Sequence, residues 1–264
     1  MKQRIITGVI AGALFILFVV LGGVPFTLVT MLLALIGVYE ILKMKGISVA
    51  SVPGVLAAVA TLLMVLPNSW AAEVEEAISY NKLELLFITA LLLLVYSVVV
   101  KNHFTFDDAA FVILSVMYVG IGFYYMVATR DAGIEFLIFA LVIVWVTDSG
   151  AYFTGRSLGK RKLWPEISPN KTVEGFVGGI VLAVVGASIM QVIAPFEVSW
   201  LMLIVVVVVC SVMGQIGDLV ESAIKRHYDV KDSGNILPGH GGILDRFDSL
   251  LFVLPLLNLL HFVS

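Results

Sequence analysis

Charge is what this sequence has least of. Of its 264 residues only 13% are Asp, Glu, Lys or Arg, against 60% that are hydrophobic, and the mean hydropathy is +1.07. A soluble domain carries about 25% charged and about 45–50% apolar residues, and a globule of this size cannot hide so large an apolar surplus. The scarcity excludes a soluble enzyme, a disordered chain and a nucleic-acid-binding domain. The net charge of −3 adds nothing that would attract nucleic acid. Cysteine is almost missing too. Cys210 is the only one and lies in an apolar run, which rules out a disulfide framework and any multi-cysteine zinc site.

What is present in quantity is long apolar runs. A helix needs about 20 mostly apolar residues to cross the hydrocarbon. About nine stretches qualify, near 5–22, 24–42, 50–67, 83–100, 109–128, 134–154, 173–194, 200–220 and 244–262. The expected fold class is all-α, a polytopic integral membrane protein with about nine transmembrane helices. Lys2 and Arg4 ahead of an apolar run resemble a signal peptide. No small-residue cleavage site leads into a soluble domain, however, and a second span follows at once, so the first stretch reads as a retained helix. The segment 68–82 is amphipathic and is expected to lie along the interface.

The few charges are sorted by side. With the N-terminus in the cytoplasm, the inner segments hold Lys2, Arg4, Lys43, Lys45, Lys101, Arg156, Lys160, Arg161, Lys162, Lys171, Lys225, Arg226, Lys231 and Arg246, which is 14 of the 16 basic residues. Only Lys82 and Arg130 fall outside, where Glu73, Glu75 and Glu76 gather. The positive-inside rule therefore predicts a cytoplasmic N-terminus and, with an odd number of spans, an external C-terminus. Residues 1–128 read as plain scaffold helices. Residues 129–264 carry nearly all the unusual polar chemistry, on the cytoplasmic connections 155–172 and 221–243, and read as the catalytic part.

Residues 214–249 run GQIGDLVESAIKRHYDVKDSGNILPGHGGILDRFDS. Helical spacing places Asp218, Ser222 and Lys225 on one face, pairs Glu221 with Lys225 at i+4, and turns Asp245 and Asp248 to a common side. Carboxylates with open positions suit Mg²⁺, which keeps waters and takes phosphate oxygens as ligands. The glycines around His240, Gly241 and Gly242 let backbone N–H groups approach an anion at a helix start. Lys225, Arg226, Lys231 and Arg246 supply charge to neutralise phosphate. Lys225, Arg226 and Lys231 taken alone also fit a simple positive-inside flank. Asp218, Asp245 and Asp248 do not, because acids near membrane depth are costly unless they serve a purpose; a structural ion-pair network is the remaining alternative. No Gly-x-Ser-x-Gly surrounds Ser222, so it is not read as a hydrolase nucleophile. Asp148, near the inner end of its span, is expected to support the site or to hydrogen-bond a neighbouring helix.

Ser222-Ala-Ile-Lys225-Arg226, Lys231-Asp232-Ser-Gly234 and Leu237-Pro238-Gly-His240-Gly241-Gly242-Ile-Leu-Asp245-Arg246-Phe-Asp248 together resemble the signature of the phosphatidate cytidylyltransferases, or CDP-diglyceride synthases. A second stretch, Ser168-Pro169, Lys171-Thr172 and Glu174-Gly175, resembles another stretch of that family. From spacing alone, Thr172 reads as the cap of the following helix, and Gly175, Gly178, Gly179, Gly8 and Gly12 as points of close helix approach.

The resemblance implies transfer of the cytidylyl group from CTP to phosphatidate at a cytoplasm-facing site in the cell membrane. It implies catalytic roles for Asp218, Ser222, Lys225, Arg226, Asp245, Arg246 and Asp248. It implies substrate contacts from Lys171, Thr172, Glu174, Lys225, Arg226, Lys231, Asp232, His240, Gly241 and Gly242. The expected cofactor is Mg²⁺ or Mn²⁺ on Asp218, Asp245 and Asp248, with room left for a second metal or a monovalent cation. The expected partners are CTP, phosphatidate and membrane lipid, no nucleic acid, and a second copy in a homodimer. Two other readings stay open at this point: cytidylyl transfer to another membrane lipid phosphate, and a secondary transporter. The gathering of polar residues at one membrane face rather than the midplane speaks against transport.

Overall fold

The computed structural model describes residues 2–68, 70 and 81–263. Among them are nine helices of 14 residues or more. These are α1 (Lys2–Leu21), α2 (Gly23–Met44), α3 (Val52–Val65), α4 (Lys82–Val99), α5 (Phe106–Ala132), α6 (Ile134–Leu158), α7 (Val173–Ile193), α8 (Trp200–His227) and α9 (Leu244–Leu259). Each falls on one of the nine apolar stretches. Most of the amphipathic segment expected over 68–82, with Glu73, Glu75 and Glu76, lies outside the described residues.

Six of the helices (α2 and α4–α8) are long and apolar enough to cross a membrane. The rest are shorter as apolar elements. The apolar part of α1 is Ile6–Leu21, α3 is Val52–Val65, and α9 has 16 residues with Pro255 inside it. At 1.5 Å per residue, α9 spans about 24 Å, less than the roughly 30 Å hydrocarbon thickness. The 28 residues of α8 give about 42 Å, about two turns more than the hydrocarbon needs. Its polar end, Asp218 to His227, is that surplus. Leu83, Val98, Val192, Ile193 and Leu201 are among the most exposed side chains, an apolar surface suited to lipid.

Helix starts follow the local code. Ser51, Thr172 and Ser199 each accept a backbone N–H of the first turn, and Asn81 forms a capping box with Glu84, meeting donors that the helix itself leaves open. One element was not expected. Lys162–Trp164 and Ser168–Thr172 pair as a two-stranded antiparallel hairpin, β1–β2. Pro165 sits in its turn and Pro169 in its second strand, which agrees with the tolerance of proline at sheet edges.

The chain forms two compact units. One comprises the residues up to Asp131 together with Asp232–Leu244; the other comprises Ala132–Lys231 with Asp245–Ser264. In the first, α1, α2, α3 and α4 pack in sequence around Phe26, Leu42, Leu93, Phe123 and Met126. Arg130 donates from Nε to the Val19 carbonyl at 2.6 Å and from Nη2 to that of Val20. A cation thus meets the C-terminal carbonyls of α1, as the helix dipole favours.

In the second unit, α6 and α7 lie in close backbone contact. A Cβ at Gly179 would sit 2.8 Å from the Thr147 carbonyl, and one at Gly175 would sit 2.7 Å from that of Ala151. The glycines of α7 are therefore what lets α6 approach. Without a hydrophobic drive between helices in lipid, such small-residue faces and buried polar bonds hold spans together. Thr147 Oγ1 donates to Ser211 Oγ at 2.9 Å between α6 and α8. Gln215 donates from α8 to the Phe176 carbonyl on α7. Gly12, by contrast, faces open space. Gly179→Val should lower stability by about 1–3 kcal/mol through overpacking, whereas Gly12→Ala should leave it unchanged or raise it. Thermal unfolding in detergent compares the two.

Candidate active site

The second unit assembles most of the polar residues singled out in the sequence. Three helices meet there. The backbone of α9 reaches α8 because Gly214 and Gly217 have no side chain: a Cβ at Gly217 would be 2.8 Å from both the Asp248 carbonyl and the Phe252 ring. This approach brings Asp248 to where it feels the charges of Asp218 and Asp148. Asp148 comes from α6 and Asp218 from α8, and both line a cavity of about 410 Å³. Tyr152, Arg156, Asn170 and Lys171 also face it.

Lys171 is a cation on the wall of this cavity. Its Nζ lies 2.7 Å from Asp218 Oδ2, and Ser222 Oγ donates to Asp218 Oδ1 at 3.3 Å. Lys171 is held there by its neighbours in sequence. Thr172 is the N-cap of α7, accepting the Gly175 N–H at 3.1 Å. Glu174 accepts the backbone N–H groups of Lys160 and Arg161, at 3.0 Å and 3.2 Å. The hydroxyl and the carboxylate of these two residues are thus engaged at the junction of hairpin and helix start, next to Lys171 in the second strand.

A second ionic cluster lies further along α8. Lys225 pairs with Glu221 one turn before it, as the i+4 spacing anticipated. It also pairs with Asp245 at 2.6 Å. The side chains of Lys225, Glu221 and Asp245 are 11%, 2% and 6% exposed, so this is a buried triad of two acids and one base. Arg226 is exposed and donates to the carbonyls of Ile167, in the hairpin, and of Val230. Lys231 and Arg246 are exposed as well.

Asp218, Asp245 and Asp248 were the expected metal ligands. Asp218, Asp245 and Asp248 do not form a three-carboxylate ligand set. Among the described residues there is no group of three His, Cys, Asp or Glu side chains that could hold a metal ion. The physical reason is visible in the pairs: Asp245 is held by Lys225, and one oxygen of Asp218 by Lys171. Asp148 lines the same cavity as Asp218. The donor chemistry still fits a hard divalent cation, since Mg²⁺ binds through one or two carboxylates and completes its shell with water and substrate phosphate.

The remaining signature residues, Asp232, His240, Gly241 and Gly242, belong to the first unit. There the chain makes a tight turn, with Leu237 N–H donating to Gly241 O and His240 N–H to Leu237 O. Gly239 and Gly241 have φ of 76° and 84°, a conformation that glycine adopts without penalty. His240 packs on α1, where a Cβ at Gly8 would be 2.9 Å from its Nε2. The close approach expected at Gly8 is therefore to this turn, not to another helix.

A substrate phosphate was expected on the backbone N–H groups at this helix start. In the structure the N–H groups of Ile243 and Leu244 are instead taken by a carboxylate of the protein itself, that of Glu40. Glu40 was missed in the sequence. Its signal was a lone acid inside the apolar run of α2.

An all-helical protein with membrane-length apolar helices, which gathers carboxylates, lysines and a polar cavity at the end of one long helix, is equipped to handle phosphate at a lipid boundary. The chain belongs to the cytidylyltransferase family, whose model matches residues 2–264. It is 51% identical over 263 residues to the phosphatidate cytidylyltransferase of Bacillus subtilis (strain 168), covering 98% of this chain and 97% of that protein. It is 48% identical to the phosphatidate cytidylyltransferase of Staphylococcus haemolyticus (strain JCSC1435), with 98% of each chain covered. The Staphylococcus aureus (strain COL) protein of the same name is 46% identical over 260 residues, again with 98% of each covered.

Removing the base from the buried triad strands two acids. Lys225→Met should therefore cost about 3–5 kcal/mol, the price of breaking a buried pair from one side. The double variant Lys225→Met with Glu221→Gln should recover part of that loss. Chemical denaturation of the purified proteins in detergent reads both.

Proposed function

We propose that this protein is a phosphatidate cytidylyltransferase, converting CTP and phosphatidate to CDP-diacylglycerol and pyrophosphate. The observation that carries this reading is identity of about half over nearly the whole chain to proteins of that name. The signature between Ser222 and Asp248 supports it. In the reaction, an oxygen of the phosphatidate phosphate attacks the α-phosphorus of CTP. The new oxygen–phosphorus bond forms, the bond to the β-phosphate oxygen breaks, and pyrophosphate leaves with the electron pair. Both reactants are anions, so the protein's task is alignment and charge neutralisation. Phosphatidate is already largely ionised, so no strong general base is needed.

Lys171 beside Asp218 is the cation placed to meet phosphate in the cavity, with Arg156 on its wall. Arg226, Lys231 and Arg246, all exposed, add positive charge around it. Lys225, enclosed by Glu221 and Asp245, acts by fixing α8 against α9, and so by setting Asp248 beside Asp218. Thr172 and Glu174 act by holding Lys171 in place. A divalent cation held by Asp218 and Asp148, which line the cavity, with water and substrate phosphate completing its shell, would supply neutralisation of phosphate charge. The catalytic part is residues 129–264. The site faces the cytoplasm, where CTP is found, and the N-terminus lies on the same side.

Purified protein in liposomes should release pyrophosphate from CTP only when phosphatidate and Mg²⁺ are both supplied. CTP turnover without phosphatidate, or none with it, would overturn the reading. Competing phosphatidate with a polyprenyl phosphate separates the two lipid substrates. Asp218→Asn should lower kcat by about 100-fold or more, in the range of lost electrostatic stabilisation, while the protein still inserts.

The orientation has its own check. A single cysteine at Lys162, in a Cys210→Ser background, should react with a membrane-impermeant maleimide in inside-out vesicles and not in right-side-out ones.

A further inference from the structure

Glu40 lies in α2, a helix of 22 residues without another acid, and it is completely buried. A carboxylate in such a place is tolerated only when its oxygens are met by donors. Here they are. Ser233 Oγ donates to Oε2 at 3.1 Å. The backbone N–H of Ile243 donates to Oε1 at 2.9 Å, and that of Leu244 to Oε2 at 3.0 Å. The last two are the N–H groups at the start of α9, where the helix dipole favours an anion. Glycines enclose the same carboxylate. A Cβ at Gly234 or at Gly242 would run into Glu40, and one at Gly242 also into Ser233. One side chain of α2 thus closes both ends of segment 233–244, and the turn Leu237–Gly241 is the excursion between them.

We propose that Glu40 is a positioning residue for catalysis. Its carboxylate cinches the glycine-rich signature loop and sets the first turn of α9, and thereby the attitude of Asp245, the residue that follows Leu244 in the chain. Glu40 touches no substrate. Its effect on turnover is transmitted through the loop and the helix start. The part of this inference that concerns turnover rests on the cytidylyltransferase reading; the clamp itself does not.

The test uses the full chain in detergent or liposomes. Glu40→Gln keeps the size of the side chain, removes its charge and turns an amide N–H toward one of the two donors, Ile243 or Leu244. The expected result has two parts. Amide exchange at Ile243 and Leu244 rises by about 10- to 100-fold, the worth of hydrogen bonds to a charged acceptor. At the same time kcat falls by a similar factor, while KM for CTP changes by less than about threefold.

Glu40→Asp, which keeps the charge, should recover most of the lost kcat, a rescue that a purely space-filling role would not give. Ser233→Ala removes one of the donors and should cost less than Glu40→Gln. Unchanged exchange at Ile243 and Leu244 would overturn the clamp. Raised exchange with full kcat would overturn the positioning role. Where Glu40→Gln does not fold, Gly234→Ala carries the test. It presses on the carboxylate from the loop side and should give the same pair of changes, and wild-type exchange and kcat in that variant would overturn the proposal. Absence of lipid-dependent CTP turnover in the unaltered protein would instead sink the functional reading, with the exchange comparison still deciding the clamp.

Discussion

A charge that leaves water in this protein must be met by a partner, and much of its architecture follows from that constraint. Among the described residues, several charges are taken inside and met in specific ways. Lys225 is enclosed by Glu221 and Asp245, and Glu40 by a hydroxyl and two backbone N–H groups. A less buried pair, Lys171 and Asp218, faces the cavity. Such pairs add little stability compared with an apolar core, but breaking one from either side is expensive. They therefore act as registers. Each defines one permitted placement of two segments, in a chain whose remaining surface is nearly uniform and apolar.

The second requirement is close backbone approach. Helices in lipid gain nothing from burying apolar surface against each other, so they associate where small residues permit dense packing. Gly175 and Gly179 open α7 to α6, and Gly214 and Gly217 open α8 to α9. The cavity that holds Asp148, Lys171 and Asp218 is a product of this arrangement. The hairpin between α6 and α7 supplies Lys171 and Asn170 to its wall. Glu174 fastens the hairpin by its backbone, leaving side chains of the loop free to face the opening.

Much of this was legible in the chain, and the legible parts share a cause. The nine helices were readable as apolar runs because the period and length of a span are local. Thr172 as a cap, Glu221 with Lys225 at i+4, and the glycines of α7 as an approach face were readable because each involves residues within a turn or two of one another. The hairpin β1–β2 was not. Its strands are three and five residues long, too short for an alternating pattern to stand out. The pairing of Asp245 was hidden for a different reason. Asp245 and Asp248 share a helix face, but the sequence could not tell that a lysine would claim the first of them.

By itself, the sequence determined the membrane class, the helix positions, the local caps and pairs, and the signature by which the chain is placed in its family. These depend on composition and on spacing of a few residues, which a single chain displays directly. Only the tertiary structure decided which acids share a cavity, that Lys225 is enclosed and Lys171 faces the cavity, and that the anion at the start of α9 is Glu40. Glu40 and the groups that bind it are 193 to 204 residues apart. No periodicity links positions so distant, and their pairing is settled by the packing that buries the carboxylate among these donors.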